Sequence, residues 1–247
     1  MSQSFIRVID LETTGSAPPA HAVCEIGWQD VVQGPDGWTV TDSRGQHLID
    51  PERPIPPVTQ AVHHIIDEDV VGAPKWRDVA PTILRSGAVA LAAHRAAFEQ
   101  RFCTPALSGG AAWICTWKCA LRLWPDSPSF SNQVLRYWRK PVGLDRDLGL
   151  PVHRALPDAY VTAHHLRDML AEASVDQLLE WSALPGLLPR VPHGPDRGRA
   201  WAELDTQTLA THARGRDEDV RYSADQEIAR RRGGPATVAP GAQGSLL

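Results

Sequence analysis

The chain has 247 residues, a formal net charge of −4, 43% hydrophobic and 22% charged residues. That composition excludes a disordered or collagen-like chain, and no apolar run approaches the roughly 18 residues that a helical membrane span needs. The mildly acidic balance argues against an extended basic surface gripping nucleic acid, but not against a nuclease whose acidic metal ligands are offset by bound cations. Residues 1–8 lack the basic and long apolar regions of a secretory signal, so a cytoplasmic protein is expected. Cys24, Cys103, Cys115 and Cys119 are scattered without a CxxC pair and read as reduced structural thiols.

In chain order, Phe5–Leu11 is β-branched and apolar and stops at Thr13-Thr14-Gly15, which reads as a buried strand ending in a turn. A second strand is expected across Ala22–Val32, a turn at Gly34-Pro35-Asp36-Gly37, and a returning third strand over Trp38–Ile49. The pattern then alternates. Helices are expected at Val58–His64 and Trp76–Ser86, a short strand at Ala88–Ala93, a helix at Arg95–Phe102, and a strand at Ala111–Cys115. Helices follow at Trp117–Leu123, Ser131–Trp138, Leu156–Glu172 and Val175–Trp181. Strands first, then alternating helices and strands, imply an α/β fold with a mixed sheet. Leu184–Pro189 reads as a boundary, dividing a domain over 1–184 from a small C-terminal module over 190–230, with 233–247 as a disordered tail.

Three fragments carry chemistry. Asp10 and Glu12 are two apart on a strand and so share a face, where paired carboxylates repel unless a cation neutralises them. Oxygen ligands of this kind suit magnesium or manganese. His153 and Asp158 form a His-x4-Asp pattern at the start of the longest helix, where a loop histidine can take a proton from water. Leu91–Glu99 runs from a strand into a helix that carries a carboxylate about one turn in. Alone, each fragment has a plainer reading: a strand–turn junction, a helix cap, and a solvated Glu99 beside a core Phe98.

Together, in this order, Val8-Ile9-Asp10-Leu11-Glu12-Thr13-Thr14-Gly15, Val62-His63-His64-Ile65, Ala93–Phe98 and His153-x4-Asp158 resemble the DEDDh (DnaQ-like) 3′→5′ exonucleases. Trp113–Thr116, Ser131–Leu135 and the segments Gly198–Leu204 and Asp217–Tyr222 are similar to its exodeoxyribonuclease X branch. The resemblance implies an RNase H-like five-stranded sheet and hydrolysis of DNA from its 3′ end to 5′-mononucleotides. Two Mg2+ or Mn2+ ions would be held by Asp10, Glu12, Glu99 and Asp158, with Asp10 bridging them and His153 as general base. Leu11, Thr13, Thr14, Gly15, His63, His64, Ile65, His94, Arg95 and Phe98 would hold the terminal nucleotide.

Arg95 and Glu99 depart from the family pattern, which has Asn and Asp there. The extra methylene of Glu99 implies weakened rather than abolished metal binding. Two other readings follow: an RNA-trimming enzyme of the same fold, and a catalytically weak nucleic-acid-binding module. The tail module lacks the Lys that the branch carries near His193–Gly198, which weakens the case for its contacting nucleic acid.

Overall fold

A computed structural model describes residues 3–233; the expected tail falls outside them except for Gly233. Strands β1 (Phe5–Thr13), β2 (Val23–Gly34) and β3 (Gly37–Leu48) form an antiparallel meander, and β4 (Ala90–Ala93) and β5 (Trp113–Cys115) add in parallel beside β1. The order β3-β2-β1-β4-β5 is the expected mixed five-stranded sheet. Helices α1 (Pro57–His63), α2 (Trp76–Leu84), α3 (Glu99–Phe102), α4 (Pro105–Ser108), α5 (Thr116–Leu123) and α6 (Asn132–Arg139) connect and flank it. After them come α7 (Ala155–Glu172), α8 (Val175–Ala183), α9 (Thr206–His212) and α10 (Glu218–Arg231).

Alternation along β1 sorts its side chains into two cores. Ile6 and Val8 join Ala159, Ala163, Leu166 and Met169 of α7 on one face. Ile9 and Leu11 join Val79, Ala80, Ile83 and Leu84 of α2 on the other. Asp10 and Glu12 continue the Ile6–Val8 series and therefore point to the face on which α7 begins.

Gly27 of β2 pairs with Asp10 and makes that proximity possible. A Cβ there would lie 2.2 Å from the backbone nitrogen of Leu156, so a side chain of any size would push the start of α7 off the sheet. Two residues earlier, Glu25 is fully buried and accepts from the Arg154 guanidinium and, at 3.0 Å, from the Ala155 backbone N–H. The anion satisfies an orphan donor at the helix start and favours its positive end. β2 thus holds α7 by one absent side chain and one buried carboxylate.

The largest departure from the sequence expectation is the helix set at Arg95–Phe102. Arg95 has φ +67, residues 94–98 form turns, and the helix begins only at Glu99. Cys115 ends β5 and Cys119 lies on α5; all four cysteines are free and buried, as expected of reduced structural thiols. Trp138 of α6 is 41% exposed. Beyond Gly186, Val191, Trp201, Leu204, Leu209, Val220 and Ala224 build a separate apolar cluster. It is tied back by Gly186 N–H to Asp219 at 2.6 Å and Leu188 N–H to Ser223 at 2.8 Å. Among the described residues, no helix is long and apolar enough to cross a membrane.

Candidate active site

The end of β1, the start of α7 and the turn before α3 meet at a pocket of about 600 Å³. Asp10, Glu12 and Asp158 each turn a carboxylate oxygen into it, and these oxygens lie within 4.8 Å of one another. Asp158 is held by three donors. The His153 backbone N–H reaches its Oδ2 at 2.7 Å, and Gln133 Nε2 and Asn132 Nδ2 reach its Oδ1 at 2.8 and 3.4 Å.

Glu99 lines the same pocket but lies outside the three-carboxylate group. It is 3% exposed, and its Oε2 has no hydrogen-bond partner among the described residues. A buried carboxylate oxygen without a donor is costly unless it is protonated or meets a cation. Burial, then the neighbouring carboxylates Glu12, Asp158 and Glu99, hold the Asp10 carboxyl well above its usual range. Burial and Asp158 push Glu12 up to about 8, and burial chiefly pushes Glu99 up to about 8. Four acids with hard oxygen donors, one of them orphaned, fit divalent cations.

The other expected residues divide. Leu11, Thr13, Gly15, His63, His94, Phe98 and His153 line the pocket. Thr13 Oγ1 donates to the Gly15 carbonyl at 2.7 Å, and a Cβ on Gly15 would fall 2.3 Å from the His21 ring, which fixes the turn. Thr14 does not line it, because its hydroxyl turns inward to accept from Ala22 N–H at 3.0 Å. Ile65 is a core residue packed with Cys24, Ile55 and Val70, and His64 is an exposed left-handed helix cap. Arg95 points away and stacks over Trp117, with its guanidinium carbon 4.1 Å from the ring centroid, in a neighbouring cleft. These four thus stand outside the pocket lining, and adjacent residues of one motif face different ways.

The pocket histidines are not equivalent. Burial lowers His94 to about 4, so its ring is neutral at pH 7. Nε2 donates to the Phe130 carbonyl at 2.8 Å, and Nδ1 therefore accepts from Thr116 Oγ1 at 3.0 Å. His94 is a tie between β4 and the loop before α6. His63 is also buried and lowered, and its Nδ1 accepts from Ile65 N–H at 3.1 Å. His153 is exposed at the pocket rim with φ +59, its backbone anchored on Asp158 and its ring free to face the pocket.

Thr59, Val62, Ser131, Asn132 and Gln133 also line the pocket and were not marked as site residues from sequence. Gln133 and Asn132 were legible only as part of a motif. Their role as donors to Asp158 depends on the packing of α6 against α7.

An exonuclease family model matches residues 8–99. The chain is 35% identical over 202 residues to exodeoxyribonuclease 10 of Escherichia coli (strain K12), covering 81% of this chain and 85% of that protein. Among solved structures it superposes on exonuclease X in complex with 5′ overhanging duplex DNA. The TM-score is 0.61 at 34% identity, covering 72% of this chain and 99% of that one. A 3′-exonuclease solved in recognition of a histone mRNA stem-loop shares the fold at TM-score 0.54 and 15% identity, covering 69% of this chain and 65% of that one. With that identity spread across most of both chains, this protein belongs to the DnaQ-like 3′→5′ exonucleases, in the group of exodeoxyribonuclease 10.

Proposed function

We propose that this chain hydrolyses the terminal phosphodiester at DNA 3′ ends and releases 5′-mononucleotides, with the pocket described above as its active site. The convergence of Asp10, Glu12 and Asp158 oxygens within 4.8 Å, facing the orphaned oxygen of Glu99, supports the reading most strongly. Asp10, Glu12 and Asp158 would hold one ion and Asp10 with Glu99 a second, Mg2+ or Mn2+ suiting the all-oxygen donor set. Bound, such a pair supplies charge stabilisation to the attacking and leaving oxygens.

The chain's own groups supply the rest. His153, on its exposed rim position, takes the proton of the attacking water as the new P–O bond forms and the P–O3′ bond breaks. The departing 3′ oxygen takes a proton from solvent and remains as the 3′-hydroxyl of the shortened strand. Asp158 positions the base by fixing the His153 backbone, so one carboxylate serves both ligation and base placement. Leu11, Thr13 and Gly15 at the end of β1 line the pocket together with Val62, His63 and Phe98, a mixed apolar and polar lining that suits the sugar and base of the last nucleotide. Division into a catalytic domain through residue 184 and a module over 190–230 accords with the separate apolar cluster beyond Gly186.

The test uses a 5′-labelled DNA oligonucleotide with magnesium or manganese. Stepwise shortening from the 3′ end, lost in EDTA and in Asp10→Ala, is expected. Metal-independent cleavage, or full activity in Asp10→Ala, would defeat the assignment. A matched RNA oligonucleotide in competition decides between DNA and RNA as the preferred substrate.

A further inference from the structure

A second cleft, of about 480 Å³, lies between the sheet domain and the C-terminal residues. It shares Ser131 with the catalytic pocket, and residues 127–131 wall the cleft up to that shared point. The His94–Phe130 hydrogen bond fixes that wall to the end of β4. The two spaces are opposite in charge. The catalytic pocket carries Asp10, Glu12, Glu99 and Asp158, whereas the cleft carries Arg95, Arg190 and Arg197 and no acidic residue.

In a chain of net charge −4, three exposed arginines on one cleft are not explained by the overall balance. None of the three is in a salt bridge among the described residues. Asp196, next to Arg197, is taken by Arg199 at 2.7 Å and lies 3.5 Å from His212. Arg190 spends one N–H on the Gly198 carbonyl at 3.1 Å, which leaves its other donors free, and the Arg95 guanidinium sits over the Trp117 ring. Guanidinium groups presented this way match phosphate geometry.

We propose that this cleft is a binding subsite for the phosphodiester backbone of the substrate strand, on the 5′ side of the nucleotide being removed. The strand leaves the catalytic pocket over Ser131 and lays its phosphates on Arg95, Arg190 and Arg197. The C-terminal residues thereby contribute to substrate length dependence rather than to bond cleavage. The inference rests on the nuclease reading for the identity of the strand.

The test compares two substrates in the Arg190→Gln/Arg197→Gln double variant. One is the p-nitrophenyl ester of thymidine 5′-monophosphate, which reaches only the catalytic pocket. The other is single-stranded oligo(dT) of about 12 nucleotides, within the footprint of single-strand grooves. The variant should lose about tenfold in kcat/KM on the oligonucleotide, through KM, and its salt slope should fall by about 0.7 per phosphate contact removed. Ester hydrolysis should stay within twofold of wild type. Equal losses on both substrates, or none on the oligonucleotide, would overturn the subsite. If the wild-type protein hydrolyses neither substrate, the nuclease reading fails by itself. The cleft is then judged by anisotropy of the labelled oligonucleotide in EDTA, where the double variant must still bind about tenfold more weakly.

Discussion

Replacing Glu99 by Gln separates a cation-binding carboxylate from an ordinary core residue, because the two make opposite predictions for metal-free stability. Glu99 is 3% exposed with an unpartnered oxygen, and burial raises its carboxyl from the ordinary 4.5 to about 8. Between those values the folded protein keeps a proton that the unfolded chain has released. The stabilising contribution is therefore complete below about pH 4.5 and is lost as pH rises through about 8. At 1.36 kcal/mol per tenfold change in proton affinity, the loss is capped at about 5 kcal/mol. Glu12, also raised to about 8, and Asp10 share the burden, which leaves about 1–3 kcal/mol to Glu99.

Glutamine is neutral throughout and carries none of this. In EDTA, Glu99→Gln should match wild type near pH 4.5 and melt about 3–10 °C higher near pH 8.5. Millimolar magnesium or manganese should reverse the order, because the wild-type protein gains binding free energy that the variant loses. Thermal unfolding by circular dichroism at both pH values, with and without metal, reads all four numbers. A variant less stable than wild type in EDTA near pH 8.5, or a Tm difference independent of pH, would refute the reasoning.

Three further changes test the scaffold and the base. Gly27→Ala forces a Cβ to 2.2 Å from Leu156 N, so it should cost about 1–3 kcal/mol by chemical denaturation and displace Asp158 enough to lower kcat about 100-fold. Arg154→Met should cost about 2–3 kcal/mol, because the fully buried Glu25 keeps only the Ala155 N–H as partner, while Glu25→Gln/Arg154→Met should recover part of it. His153→Ala should lower kcat about 100-fold or more while leaving the oligonucleotide KM within about threefold; an unchanged kcat removes the residue from the proton transfer.

Much of the sheet was legible because its signals are local. The period of two along β1 puts Ile6, Val8, Asp10 and Glu12 on one face, and the turn at Gly34–Gly37 dictates the meander. What was not legible depends on contacts far apart in the chain. Nothing near Gly27 announces that the start of α7 must press against it, and nothing near Glu25 announces Arg154, 129 residues away. The helix expected from Arg95 failed because a left-handed residue there delays it to Glu99, a backbone choice that spacing does not encode. Motif membership also says little about orientation: Thr14 and Ile65 sit beside pocket residues yet face the interior, Thr14 turned by its bond from Ala22 N–H and Ile65 by packing with Cys24, Ile55 and Val70.

The most direct measurement is manganese titration of the wild-type protein and of Asp10→Asn, followed by the electron paramagnetic resonance signal of free Mn2+. Capture of divalent ions by carboxylates gathered from β1, α3 and α7 predicts two ions bound per wild-type chain near pH 8 and neither held tightly once Asp10 is neutral. Unaltered stoichiometry and affinity in Asp10→Asn would contradict it.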